Sequence, residues 1–238
     1  MKPLISVVVP TYNEEKNIVK CLKSLENQTI GRKKYEIIVV DGKSKDRTVS
    51  LARKHADRVV QQKSERVGGA RNDGARIAKA DIIATTDADC TVPGDWLENI
   101  LKAFGDKKVV CVFGPIRPIE KTTKYKYMIF MNNLAAYMLH KAGIFNATIG
   151  SNTAFRKKEF IRVGGYSEIP ACDDYEIALR IKKAGKIKLA RNTCVNFSMR
   201  RLEKFGVMGT LVTWTLNSGK IITKKELTKI NYNKQIYD

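Results

Sequence analysis

Residues that build metal clusters or cross-links are sparse in this chain. Its five cysteines (Cys21, Cys90, Cys111, Cys172 and Cys194) are scattered and odd in number, and no Cys-x-x-Cys pair occurs. The two histidines, His55 and His140, lie near none of them in sequence. A zinc cluster is thereby disfavoured, and free thiols in a reducing cytosol are the plainer reading. No stretch approaches the roughly twenty consecutive apolar residues needed to cross a bilayer. The Met-Lys-Pro start runs straight into a strand-like segment, too poorly flanked for a signal peptide. Low-complexity tracts and short-period repeats are missing as well, which argues against disorder and solenoids. Acidic charge is in deficit: 24 Asp and Glu stand against 44 Lys and Arg, for a net +20. That surplus calls for an anionic partner, and nucleic acid, an acidic membrane surface and a phosphorylated substrate all qualify.

What is present is a regular alternation. At 238 residues, 43% of them hydrophobic, the chain can bury the core of one large domain or two small ones. Short β-branched runs at 4–9, 35–40, 58–61, 81–86 and 109–113 read as strands. Helical patterns at 14–28, 46–55, 69–79 and 96–104 separate them. Continuous apolar strands joined by helices predict an α/β fold with a mostly parallel sheet flanked by helices on both faces. Ligands bind such sheets at the carboxyl ends of the strands.

The second half is less regular. A long apolar-rich helix is expected at 125–142, then a loop at 150–154, a short helix, a helix at 174–184, a strand at 193–197 and a helical tail at 202–219. The break at 116–124 divides a first half, 1–115, from a second, 116–204, within one structural domain, with a basic tail at 205–238. The 125–142 segment carries Tyr127, Ile129, Phe130, Met131, Leu134, Tyr137 and Met138 between Lys121, Lys124, Lys126 and Lys141. A buried helix is favoured over a membrane-interfacial one, and the tail shares the ambiguity.

Candidate chemistry clusters after the strands. Pro10-Thr11-Tyr12-Asn13-Glu14 follows the first, where Thr11 or Asn13 makes a good helix cap and Glu14 would complete a capping box. Asp41-Gly42 follows the second, and Asp41 as turn residue or as acceptor for a base N–H remain equal readings. Asp87 and Asp89, two apart after the 81–85 run, can converge on one hard cation such as Mg2+ or Mn2+. Such a cation neutralises charge on a departing diphosphate. Gly68 to Gly74 is glycine-rich but lacks the ending of a P-loop, although Arg71 can still meet a phosphate near a helix N-terminus. Asp173 and Asp174 open a helix, whose dipole favours acids whatever their function. A catalytic Asp there needs desolvation or a neighbouring negative charge to recover basicity. The basic run from Ser198 to Lys204 reads as a solvated face or a diphosphate clamp.

In this order, Pro-Thr-Tyr-Asn-Glu, Asp41-Gly42, Asp87-Ala88-Asp89, Gly150 to Arg156, Asp173-Asp174 and a late Arg-Arg pair resemble family 2 glycosyltransferases over residues 4–204. The resemblance implies a GT-A (Rossmann-like) fold with a smaller acceptor-side subdomain. It also implies inverting transfer from a UDP- or GDP-linked sugar to a saccharide or lipid-linked acceptor hydroxyl. By the same carry-over Pro10, Tyr12 and Glu14 line the nucleoside pocket, Asp41 reads the base and Arg71 approaches the nucleotide. Asp87 lies near ribose and metal, Asp89 ligates Mn2+ or Mg2+, and Arg200 or Arg201 contacts the leaving diphosphate. Gly150, Ser151 and Asn152 border the acceptor with Asp173, which stands where the family often has Glu, and Asp174 matches the general base. Asn196 occupies a region where some relatives supply a metal-binding His.

No Gln-x-x-Arg-Trp sequence occurs, which argues against a processive synthase. The expected setting is cytoplasmic, at the inner face of a membrane, with peripheral contact to anionic lipid and no nucleic acid. A nucleotidyltransferase and a basic nucleic-acid or membrane-surface binding protein are the alternatives. The first wants a basic, glycine-rich loop after the first strand, where this chain has Thr-Tyr-Asn-Glu-Glu. The nucleic-acid version of the second gives the strand-end acids no purpose.

Overall fold

A computed structural model describes residues 2–143, 149–200 and 221. Seven strands form one sheet in the order β3-β2-β1-β4-β7-β5-β8: β1 (Ile5–Thr11), β2 (Tyr35–Asp41), β3 (Arg58–Gln61), β4 (Ile82–Thr85), β5 (Val109–Phe113), β7 (Thr153–Arg156) and β8 (Lys186–Leu189). β7 runs antiparallel to β4 and to β5, and the other pairings are parallel. The sheet thus draws strands from both sides of residue 115. β6 (Ile116–Pro118) and β9 (Val195–Phe197) make a separate parallel pair.

Alternation along β1 shows why the sheet is two-sided. Ile5, Val7 and Val9 enter one core cluster with Leu22 and Leu25 of α1 (Ile18–Glu26) and with Trp96 and Leu97 of α4 (Trp96–Ala103). Val8 joins the opposite cluster with Ile38, Phe155 and, from α7 (Asp173–Ile181), Ile177 and Ile181. β1 is therefore apolar on both faces, as a central strand of a helix-covered parallel sheet requires. On Val8's face, α3 (Arg66–Ile77) lies very close to the sheet. A Cβ on Gly74 would stand 2.3 Å from Val8 Cγ1. The glycine-rich stretch is thus a packing device, and it seats Arg71 in the interior of a helix rather than at its N-terminus.

The strand order reverses between β1 and β4, and ligands of open α/β sheets bind at such a reversal. There the β1–β4 register ends at Val8, while β1 stays paired with β2 as far as Thr11 and Asp41. Pro10, with no N–H to give, follows the end of that ladder, so the sheet tolerates it in a central strand.

Several expectations are corrected. Thr11 lies inside β1 and makes no capping box, because α1 starts at Ile18 and the intervening chain folds over a polar shelf. Glu14 N–H donates to Thr48 Oγ1 at 2.7 Å, and Asn13 N–H to Ser44 Oγ at 2.8 Å. The 150–154 loop gives way at Thr153 to β7. The 116–124 break holds β6, and α5 (Thr123–Lys141) begins at its end. Of α5 only Ile129 is buried, so the buried-helix reading fails: among the described residues the helix is packed along one side. The tail expected at 205–238, with its helix at 202–219, falls outside the described residues except for residue 221, and Arg201 lies outside them too.

Candidate active site

Four chain segments bring acids to the carboxyl edge of the sheet. Asp41 closes β2, buried, with one oxygen accepting the Ser44 N–H at 2.9 Å and the other its hydroxyl at 2.5 Å. Those bonds form the expected turn and leave acceptor capacity on the carboxylate. Pro10 is buried and Tyr12 half-buried beside it. Glu14 is buried, and its oxygens accept from Asn17 Nδ2 at 2.7 Å and Arg200 at 2.5 Å.

Beyond β4, Asp87 and Asp89 lie with Cys90 so that their ligand atoms fall within 4.8 Å of one another. The two carboxylates suit a hard divalent cation. Cys90 does not join them easily, since burial and then the charges of Asp89 and Asp87 hold its thiol protonated, well above its ordinary range. Buried hydroxyls of Thr11 and Thr86, next to the strand ends, have no hydrogen-bond partner among the described residues. Arg200 reaches in to Asp89 at 3.2 Å as well as to Glu14, which balances two of the acids. β9 is tied to the same loop, with Asn196 Nδ2 donating to Thr91 Oγ1 at 3.1 Å.

The second acidic group belongs to α7. Asp173 is buried and accepts from Arg71 Nη1 at 3.1 Å, while Arg71 Nη2 donates to Asp87 at 2.8 Å. One guanidinium thus bridges the two acidic groups. Burial works against its charge, but Asp87 and then Asp173 more than offset that and keep it protonated. It stacks 5.3 Å from the Tyr166 ring, and a Cβ on Gly150 would meet it at 2.5 Å. Asp174 Oδ2 accepts from the Gly150 N–H at 3.3 Å and Oδ1 from the Tyr175 N–H at 2.9 Å. Desolvation, then the charge of Asp173, raise its pKa to about 6 against the pull of Arg71. Burial likewise pushes Asp173 upward, with Arg71 opposing. Desolvation and a neighbouring negative charge, either of which restores basicity to a carboxylate at a helix N-terminus, are both present at Asp174.

Of the remaining loop residues, Ser151 is buried with its hydroxyl unpartnered. Asn152 is committed to the framework, accepting from Trp96 Nε1 at 3.0 Å and donating to the carbonyls of Pro115 and Thr193. Sequence reasoning missed Tyr166 and Asn72. Asn72 donates to the Tyr166 carbonyl and accepts the Tyr166 N–H, both at 2.8 Å, which holds the ring under Arg71. A polar Arg-Asn pair inside a glycine-rich helix was the available signal.

This arrangement has known counterparts. The profile of glycosyl transferase family 2 matches residues 6–164. Glycosyltransferase AglE of Haloferax volcanii is 32% identical over 139 residues, which cover 55% of this chain and 46% of that protein. Chondroitin synthase of Escherichia coli is 27% identical over 208 residues, 82% of this chain and 29% of the other. The chain thus spans less than half the length of either relative. Among solved structures, the mannosyltransferase PcManGT of Pyrobaculum calidifontis, in complex with GDP-Man and Mn2+, superposes with a TM-score of 0.71 at 23% identity. The match covers all of this chain and 70% of that one. TarS of S. aureus, residues 1–349 in complex with UDP-GlcNAc, gives 0.67 at 18% identity, with coverage of 98% and 70%. These likenesses make the fold GT-A, a seven-stranded, mostly parallel sheet between helices. With the family profile running through β1, the Asp87–Asp89 loop and β7, the chain belongs to glycosyl transferase family 2.

Proposed function

We propose that the protein transfers a sugar from a UDP- or GDP-linked donor to an acceptor hydroxyl, with inversion and with a divalent metal, in polysaccharide or glycolipid synthesis. The observation that carries this reading is the Arg71 bridge. It holds a carboxylate group suited to a cation on one side and a carboxyl of raised pKa on the other. In-line displacement needs those two environments apart, one for the leaving group and one for the attacking hydroxyl.

Pro10, Tyr12 and Glu14 line the nucleoside pocket, and Asp41 accepts from the base with the capacity its turn leaves over. Asp87 and Asp89 would hold Mn2+ or Mg2+, and the bound ion would offset charge on the departing diphosphate. Arg200 turns its guanidinium to the same diphosphate, joined by Arg201. At neutral pH Asp174 is mostly ionised yet still basic, and it takes the proton of the acceptor hydroxyl as that oxygen attacks the anomeric carbon. Gly150, Ser151 and Asp173 border this oxygen, while Asn152 shapes the loop from beneath. The acceptor is a saccharide or a lipid-linked sugar, met at the cytoplasmic face of a membrane. Free cysteines suit that compartment. Family membership sets aside nucleotidyl transfer.

The test is a thermal-shift panel of nucleotides and nucleotide sugars with and without Mn2+, on the wild type and on Asp89→Ala. A Mn2+-dependent shift with UDP, GDP or their sugars, lost in the variant, supports the reading and identifies the base. No shift with any nucleotide sinks it.

A further inference from the structure

Among the described residues, helix α5 meets the body of the protein with one face and leaves a second apolar face exposed. On the inner side Ile129 packs with Ile116 and Met199, Asn133 exchanges hydrogen bonds with the backbone of Ile116, and His140 meets the Phe113 ring edge-on at 5.4 Å. On the outer side Tyr127 is 66% exposed, Phe130 60% and Met138 56%, with Met131 and Leu134 also exposed. At 100° per residue these five fall within a stripe about 100° wide, the width of a face that ordinarily packs against something apolar. The stripe from Tyr127 to Met138 runs about 17 Å along the helix.

The charges around the stripe select its partner. The helix contains no Asp or Glu. By the same periodicity, exposed Lys124 and Lys141 stand at the two ends of the stripe, and exposed Lys126 lies on its flank. Arg191 stacks 4.0 Å over Tyr137 on the same flank. A second copy of the chain would bring cation against cation, on a protein already at +20. An anionic lipid surface offers both complements at once, acyl chains for the stripe and negative headgroups for its rim. No helix among the described residues is long and apolar enough to cross a membrane, so contact through α5 would be in the interfacial plane. We propose that the outer face of α5 is a docking surface for an anionic membrane, with Phe130 and Met138 as apolar anchors and Lys124 and Lys141 as headgroup contacts. The catalytic reading is not a premise of this proposal.

The experiment is co-sedimentation of the full chain with phosphatidylcholine vesicles containing phosphatidylglycerol, against phosphatidylcholine alone, at low and high salt. Wild type should bind the anionic vesicles and weaken as salt screens the rim. The double variant Phe130→Ser/Met138→Ser should bind at least about tenfold more weakly, since each anchor withdraws a large apolar side chain from water. Lys124→Ala and Lys141→Ala should each cost about fivefold. Absence of wild-type binding overturns the proposal. So does undiminished binding of a natively folded Phe130→Ser/Met138→Ser, which would assign attachment to other basic surface. A lipid-free dimer, seen by sedimentation equilibrium and abolished by the same serines, assigns the face to a second copy and overturns it too. The nucleotide thermal shift of the serine variant keeps a failed donor site distinguishable from a failed membrane face.

Discussion

The strand-end acids Asp87 and Asp89 and the helix-start acids Asp173 and Asp174 belong to one edge of the sheet and share one arginine, yet they are prepared differently. The first pair sits on a loop just past β4, with side chains 23% and 13% exposed, beside a second cation in Arg200. The second pair starts α7, where burial raises both carboxyls, helped at Asp174 by the charge of Asp173 and at Asp173 by that of Asp87. On the proposed reading, identical side chains are thereby divided into a pair that would hold a cation and a pair that would receive a proton. Environment makes the division, and Arg71 joins the two sides without merging them.

The sharpest way to break this comparison is at Asp174. Asp174→Asn keeps the acceptor oxygen for the Gly150 N–H but removes the base, so transfer should fall about 10²–10⁴-fold while donor binding is unchanged. Single-turnover kinetics alongside the thermal shift separates the two, and equal loss of both would make Asp174 a binding residue. In the wild type, transfer should decline tenfold per pH unit below about 6 as that carboxyl takes up its proton. A pH profile flat through that range removes the assignment.

Next in size is the bridge itself. Arg71→Met leaves Asp87 and Asp173 without their shared partner in a buried site, and should cost roughly 3–5 kcal/mol in urea unfolding. A cost below about 1 kcal/mol would show that the two acidic groups do not depend on it. On the metal side, a donor at a hundred times its dissociation constant should add about 2.7 kcal/mol with Mn2+, and Asp89→Ala should lose it.

The smallest effect is on stability through Asp174. Its carboxyl titrates near 6 in the folded protein, above the ordinary 3.8, so the folded state holds this proton more tightly than the unfolded. The resulting stability is complete below 3.8 and lost as pH rises through about 6. Asp174→Asn should therefore be more stable than wild type at neutral pH, with the gain vanishing toward pH 3.8. Urea melts across that range check the sign.

Strands β1, β2 and β5 were legible because each is an apolar, β-branched run buried on both faces, as in the Ile37, Ile38, Val39 and Val40 of β2. So was the cluster of acids after them, since carboxyl-end loops follow strands directly in sequence. β7 was not legible: Thr-Ala-Phe-Arg is four residues long, and its strand character comes from neighbours about 70 and 40 residues away in the chain. β8, Lys-Ile-Lys-Leu, hides among charges for the same reason. Arg71 was legible as a candidate, but its bridging role was not, because its partner Asp173 lies 102 residues on. Helix α5 misled in the other direction, since its composition is that of a buried helix and only its packing shows which apolar side chains remain outside.

β7 also fixes an order of assembly. β1 to β4 can pair as soon as they are synthesised, but β5 has only β7 and β8 as neighbours. From the moment residue 113 is made until residue 156 follows, β5 is an apolar strand with both edges open, and β4 keeps one edge unpaired. Exposed edges of this kind recruit other chains. A ribosome pausing between β5 and β7 would hold the chain at its most aggregation-prone, and the insertion of one reversed strand would close an edge of β4 and an edge of β5 together, leaving the far edge of β5 to β8.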